Sequence, residues 1–199
     1  MITLTWGWQP PQFEKMSNGN IRVFYYSEPY TKTVERRNPE TEEVETEERT
    51  SWRCNVVEIS DKHLSTMIRE NPDSLECQKR LLRERITAYD SSEHVNSFFI
   101  GGIRTWLDKA TRVGLKLRFE AEQRAGKTET TLWQDGMQFP LPLTGDVTAL
   151  DMLDGIELYA SACYDVTQMH LSKLGEMTTV EEVKNYDYTA FYPEKLAFG

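Results

Sequence analysis

Few side chains in this sequence could bind a metal ion or activate a nucleophile. Cys163 and His170 stand seven residues apart in a helical pattern, so they share one helix face about two turns apart. A metal ion would need further ligands, and the sequence contains neither a Cys-x-x-Cys nor a His-Glu-x-x-His motif. A packed thiol and a hydrogen-bonded histidine explain the pair without a ligand. We therefore expect no metal site.

Paired carboxylates do not indicate an enzyme either. Asp151 with Asp154, and Glu181 with Glu182, fall at surface positions of predicted helices, where carboxylates are usually solvated. The sequence contains no Gly-x-Ser-x-Gly motif, no Walker loop and no dinucleotide-binding fingerprint. We therefore expect no catalytic residues, no cofactor and no enzyme activity.

Aromatic side chains near both termini are the better candidates for binding. Aromatic residues dominate the energetics of protein interfaces, which favours a protein-binding role. The same residues also serve in cores, where their polar atoms reach the surface. Both interpretations stay open at this point. The interface candidates are Trp6, Trp8, Tyr186, Tyr188, Phe191 and Tyr192.

Composition and charge restrict the possible partners. The 199-residue chain is 39% hydrophobic and 28% charged, and its net charge is −9. An acidic chain repels a phosphate backbone, so we expect no nucleic-acid partner. No apolar run approaches the roughly 20 residues that cross a bilayer, so we expect no membrane partner. Cys54, Cys77 and Cys163 are odd in number and widely spaced, which favours free thiols in a reducing compartment.

The segment from Ile86 to Arg118 organises the predicted fold. Two short apolar strand patterns flank Gly101 and Gly102, which permit the positive φ angles of a tight type I′ turn. Trp106 ends the second strand as a predicted structural anchor between the sheet and the following helix, and Asp108 stands where the N-cap of that helix belongs. The predicted apolar positions of the helix are Val113, Leu115 or Leu117, and Phe119.

A second hairpin and helix repeat this order. Two strand patterns, the first containing Trp133, flank a turn with Asp135 and Gly136 at its centre. Asp146 is the predicted cap of the longest helix, whose apolar residues recur at spacings of three and four. The repeated order predicts a ββα-like pseudo-repeat.

The predicted fold class is α+β. Residues 1–60 should form a small N-terminal antiparallel β unit, and residues 61–199 a helical domain with the two embedded hairpins. Within the β unit, the acidic run from Glu35 to Thr50 is typical of a solvated loop or hairpin tip rather than of a specific binding site. The aromatic tail that begins at Tyr186 should pack in extended form along the long helix.

Four stretches of the chain resemble, in order and spacing, a domain of unknown function of tailed phages and prophages. That domain often occurs in tail or tail-fibre-associated proteins. The stretches are AYDSSEHVNSFFIGGIRTWLDKATRVGL, GKTETTLW, ALDMLDGIELYASACYDVTQMH and NYDYTAFYPEKLAF, and the resemblance covers about residues 80–198. Neither an activity nor catalytic residues are established for the family. The resemblance implies a phage context and a structural or assembly role.

From these observations we expect a phage structural protein, associated with the tail or its fibres, that acts through protein–protein contacts. It would be made in the host cytoplasm and incorporated into the virion, and its partners would be other phage proteins and further copies of itself in a homo-oligomer. A second hypothesis, from another class, is a non-virion phage factor. Such a factor would be an assembly chaperone or an inhibitor of a host defence protein.

Overall fold

The computed structural model describes residues 2–37 and 44–199. An antiparallel N-terminal sheet is followed by helices and hairpins, which confirms the predicted α+β class. The chain divides into two compact units. The first unit comprises Met1–Tyr89 and His170–Tyr188, and the second comprises Asp90–Met169 and Thr189–Gly199. The predicted boundary near residue 60 stays a prediction.

The first unit is built on a four-stranded antiparallel sheet. Its strands are β1 (Ile2–Trp6), β2 (Phe13–Lys15), β3 (Ile21–Arg37) and β4 (Val44–Ile59), in the order β1-β4-β3-β2. The register between β3 and β4 shifts by one residue between Phe24 and Tyr26, which marks a β-bulge. The bulge places both Phe24 and Tyr25 in buried positions.

Both faces of the inner part of this sheet are packed. Ile21 and Val23 contact Leu64, Ile68, Cys77 and Leu81 of the helices that follow the sheet. Phe24, Cys54 and Val56 form a second cluster, against which Leu4, Trp6 and Trp52 pack. Val23 and Phe24 are adjacent in sequence and belong to different clusters, which is the pattern of a strand that is buried on both faces.

The helices of the first unit begin at capped residues. Asp61 precedes α1 (Lys62–Glu70), and its carboxylate accepts hydrogen bonds from the backbone N–H groups of His63 and Leu64. Helix α2 spans Leu75–Asp90, and the Ser74 hydroxyl accepts from the Cys77 N–H at 3.2 Å. Near the C-terminus, Thr179 and Glu182 form a reciprocal capping box for the short helix α5 (Val180–Lys184).

The second unit contains the two predicted hairpins. Strands β5 (Phe98–Ile100) and β6 (Ile103–Thr105) meet at Gly101 and Gly102, whose φ angles are 55° and 76°. Strands β7 (Glu129–Gln134) and β8 (Met137–Pro142) meet at Asp135 and Gly136, with φ angles of 50° and 79°. Positive φ at both central residues is the geometry of a type I′ turn.

Each hairpin is followed by a helix, as the pseudo-repeat requires. Helix α3 (Lys109–Arg124) begins at Asp108, whose carboxylate accepts from the Thr111 N–H at 2.8 Å. Helix α4 spans Ala149–Glu176 and contributes to both units, because the division falls after Met169. The apolar core of the second unit includes Phe98, Leu107, Phe119, Leu132, Leu143, Met152 and Ile156.

Three details differ from the sequence predictions. Thr148 and Asp151, not Asp146, form the reciprocal hydrogen bonds that begin α4. Val113 and Leu117 are exposed, so only Leu115 and Phe119 of the predicted apolar positions face the core. The chain ends in a further strand, β9 (Ala197–Phe198), which pairs in parallel with β5 and which the sequence did not predict.

Candidate functional site

The residues with metal-binding or nucleophilic potential lie in packed surroundings. Burial raises the pKa of the Cys163 thiol, which disfavours the reactive thiolate. His170 is fully buried, and its Nδ1 lies 2.7 Å from the Tyr186 hydroxyl. Within residues 2–37 and 44–199, no group of three or more His, Cys, Asp or Glu side chains could hold a metal ion.

Lys195 is a half-buried amine of the second unit. Burial lowers the pKa of its amine to about 8. Its Nζ donates to the carbonyl oxygens of Val95 at 2.9 Å and Glu93 at 3.2 Å, and lies 5.7 Å from the centre of the Tyr159 ring. These contacts hold the C-terminal segment against the loop before β5. They give Lys195 an anchoring role within the second unit.

The two N-terminal interface candidates have different environments. Trp6 is half-buried on β1, and its ring packs edge-on against Phe24 at a centroid distance of 5.3 Å. Trp8 lies beyond the end of β1, with 68% of its surface exposed. It contacts Trp6 at 5.8 Å between centroids. The exposed ring of Trp8 is available to a partner, while Trp6 supports the sheet.

The C-terminal candidates are also divided between buried and exposed positions. Tyr188 is buried in the first unit, where its hydroxyl donates to the Tyr25 carbonyl oxygen at the bulge. Tyr186 is half-buried beside His170, and the hydroxyl of half-buried Tyr192 lies 2.9 Å from that of Thr167. Phe191 is 76% exposed, so it is the member of this group that presents an open ring to solvent.

The remaining predicted structural residues lie in the second unit. Trp106 is half-buried against the core, where its ring packs near Phe98 and lies 5.4 Å below the Arg112 guanidinium. Trp133, on β7, is 58% exposed. Gly101, Gly102, Asp108 and Gly136 occupy the turns and the cap described above.

The outer part of the β3–β4 hairpin is a paired ribbon whose described side chains are mostly exposed. We define the outer ribbon as the cross-strand pairs from Tyr30 with Ser51 to Arg37 with Val44. Strand β1 covers the edge of β4 only as far as Trp52, and β2 covers β3 only from Ile21 to Val23. Within the described residues, the edges of the outer ribbon therefore carry no further strand.

The two faces of the outer ribbon differ in chemistry. One face carries threonine and glutamate, namely Thr31, Thr33, Glu35, Thr46, Glu48 and Thr50, and all six are exposed. The other face places Lys32 opposite Arg49, whose guanidinium donates to Glu47 at 2.7 Å. This ion pair raises the pKa of Arg49, with the hydrogen bond as the larger cause. No described residue of the outer ribbon belongs to the cluster around Ile21 and Val23 or to the cluster around Phe24 and Cys54.

Most of this ribbon falls in the acidic run that was expected to be a loop or hairpin tip. Residues 35–37 and 44–50 belong to strands, while the centre of the acidic run lies outside the described residues. The signal in the sequence was β-branched threonine at alternate positions, which favours a strand even when charged residues intervene. The abundance of glutamate concealed that alternation.

Comparisons of this chain with protein-family models, curated proteins and solved structures returned no match. In the part of the chain that the structure describes, every helix is too short or too polar to cross a membrane.

Proposed function

We propose that this protein is a structural component of a tailed phage, associated with the tail or its fibres, and that it acts through protein–protein contacts. The outer ribbon is the observation that carries the contact role. The phage context rests on the resemblance of residues 80–198 to a domain of tailed phages and prophages. The proposed partners are other phage proteins and further copies of this chain.

The outer ribbon favours a binding role because it has no core of its own. An isolated two-stranded ribbon is marginally stable in water, since it buries little apolar surface. Its unpaired edges present N–H and C=O groups that a strand of another protein can complete. The acidic, threonine-rich face selects a partner with a polar or basic surface. Charged edge residues also discourage indiscriminate pairing between free copies.

A shortened hairpin tests this role. Joining Thr31 directly to its cross-strand neighbour Thr50 through Asn-Gly removes most of the outer ribbon and supplies a two-residue type I′ turn. The packed inner strands remain, so the shortened chain should fold with a melting temperature close to that of the parent. The matched control replaces Asp135-Gly136 with Asn-Gly, which introduces the same turn into the β7–β8 hairpin.

Mass spectrometry of purified phage particles measures how much of each chain is incorporated. The parent chain and the control should co-purify with the particles in a fixed ratio to other structural proteins, while the shortened chain should be absent. Incorporation of the shortened chain at the parental level would contradict the role of the ribbon. Absence of the parent chain from the particles would contradict the virion proposal and favour the non-virion factor.

A further inference from the structure

Helix α3 exposes an apolar face on the side opposite its packed face. Leu115 and Phe119 pack into the core of the second unit, and Arg112 is buried against Glu157 and the Leu107 carbonyl oxygen. At 100° per residue, the opposite side carries a different set of side chains. We call this set the α3 face: Ala110, Val113, Gly114, Leu117 and Ala121, all exposed.

Exposure of the α3 face departs from the usual pattern of a surface helix. Such a helix places polar residues opposite its buried stripe, so that its outer side is hydrated. Here Val113 is 52% exposed and Leu117 is 62% exposed. A methyl group added to Gly114, at the centre of the face, would meet no neighbouring element within 4 Å, so packing in its own chain does not require a glycine. A glycine there allows another backbone to approach closely.

We infer that the α3 face binds the α3 face of a second copy of this chain, in an antiparallel arrangement about a two-fold axis near Gly114. Charge complementarity indicates that the partner of the α3 face is a second copy of this chain. Lys109 and Glu120 lie on the same side of the α3 face, about 16.5 Å apart along the helix at 1.5 Å per residue. Within its own helix, Glu120 forms an ion pair of 3.7 Å with Arg124, whose side chain is exposed and leaves room for a second cation. An antiparallel pair brings Lys109 of each copy to Glu120 of the other. A parallel pair would leave Lys109 and Glu120 at opposite ends of the contact, where they could not pair.

The proposed α3 contact is small. The α3 face covers three turns of one helix, which is less than the surface of a standard stable interface. Contact between two α3 faces should therefore give a weak dimer, whose population rises with protein concentration.

Substitution at the centre of the contact provides the first test. The parent chain should sediment at 23.2 kDa when dilute and approach twice that mass as its concentration rises. Leu117→Glu should weaken association at least thirtyfold, because it places a carboxylate in the apolar contact. The control Val147→Lys changes another exposed aliphatic residue, outside α3, and should leave association unchanged. A parent chain that stays monomeric, or a dimer that survives Leu117→Glu, would overturn the inference.

Charge reversal tests the antiparallel arrangement. Lys109→Glu and Glu120→Lys should each weaken the dimer about fivefold, since each places like charges together at both ends of the contact. The double variant restores opposite charges and should return the parental affinity. A double variant weaker than both single variants would overturn the two-fold arrangement. Lys109 is exposed, and Glu120 is half-buried beside Arg124. Loss of this single i,i+4 ion pair should lower the melting temperature only slightly, so melting curves close to that of the parent serve as the control for folding.

This inference deepens the proposed function, because it names the surface through which copies of the protein associate. The two proposals fail separately. A monomeric parent chain would overturn the α3 contact and leave the outer ribbon free to bind other phage proteins. A dimer of the parent chain, together with normal incorporation of the shortened chain into particles, would retain the α3 contact and reject the ribbon.

Discussion

The inner and outer halves of the β3–β4 hairpin use the same two strands in different ways. In the inner half, Val23, Cys54 and Val56 are at most 1% exposed, and both sheet faces are packed. In the outer half, the same strands continue in register, and the Thr31, Thr33 and Thr50 face is exposed, while Tyr30, Val34 and Ser51 are half-buried or buried on the other face. Hydrophobic burial stabilises the first half, whereas backbone pairing and β-branched residues maintain the second. The fold of this chain does not require the exposed ribbon, whereas binding to a partner would.

Substitutions in the two halves should differ most in their effect on the free energy of unfolding of the protein. Phe24→Ala should lower it by about 3–5 kcal/mol, because it removes a buried ring that packs on Trp6. Thr33→Ala, an exposed position of the outer ribbon, should change it by no more than about 0.5 kcal/mol. Urea unfolding of both variants measures the contrast. Equal losses would mean that the outer ribbon contributes to a packed core.

A smaller effect is expected at the bulge, where the packed half begins. Tyr188 donates a hydrogen bond to the Tyr25 carbonyl oxygen, so Tyr188→Phe should cost about 1–2 kcal/mol. Burial raises the pKa of Tyr188, which means that the folded state favours the neutral phenol. Its contribution is therefore present below pH 10 or so and is lost as the pH rises above that value.

The alkaline loss can be measured by urea unfolding on both sides of that pH. Tyr188→Phe should reduce the decrease in stability, because phenylalanine has no proton to lose. If the variant loses as much stability at alkaline pH as the parent, ionisation of Tyr188 is not the cause of that loss.

The smallest effect concerns the like charges on the outer ribbon. Lys32 lies directly opposite Arg49, which is an unfavourable cross-strand pair. Lys32→Glu should slow amide exchange in the outer ribbon about twofold, a small gain because Glu47 already binds Arg49. Lys62→Glu, at an exposed position in α1, is the control and should not alter these amides. Faster exchange after Lys32→Glu would contradict the observed pairing.

Local sequence signals predicted the elements that local geometry determines. Gly101-Gly102 and Asp135-Gly136 are the residues that positive φ requires, and Asp108 caps its helix through a contact three residues away. These features depend on neighbours in sequence, which a single chain displays directly.

Features that depend on distant partners were not predictable. Strand β9 has two residues with no pattern of their own, and it exists because the Phe99 and Gly101 N–H groups donate to the Leu196 and Phe198 carbonyl oxygens. Helix α3 carries apolar residues on two sides, so periodicity could not determine which side packs. The outer ribbon differs from these two cases, because its alternate threonines are a local strand signal that the many glutamates obscured.

The most direct test of the central claim is hydrogen exchange of the β3 and β4 amides. The exchange rates are compared between the isolated chain and its complex with the phage proteins that bind it. In the isolated chain, residues 30–35 and 46–51 should exchange at least tenfold faster than residues 21–25 and 54–57, since packing protects only the inner half. In the complex, the outer ribbon should become as protected as the inner half. Equal protection of both halves in the isolated chain, or an outer ribbon that still exchanges fast in the complex, would contradict the claim that a partner completes it.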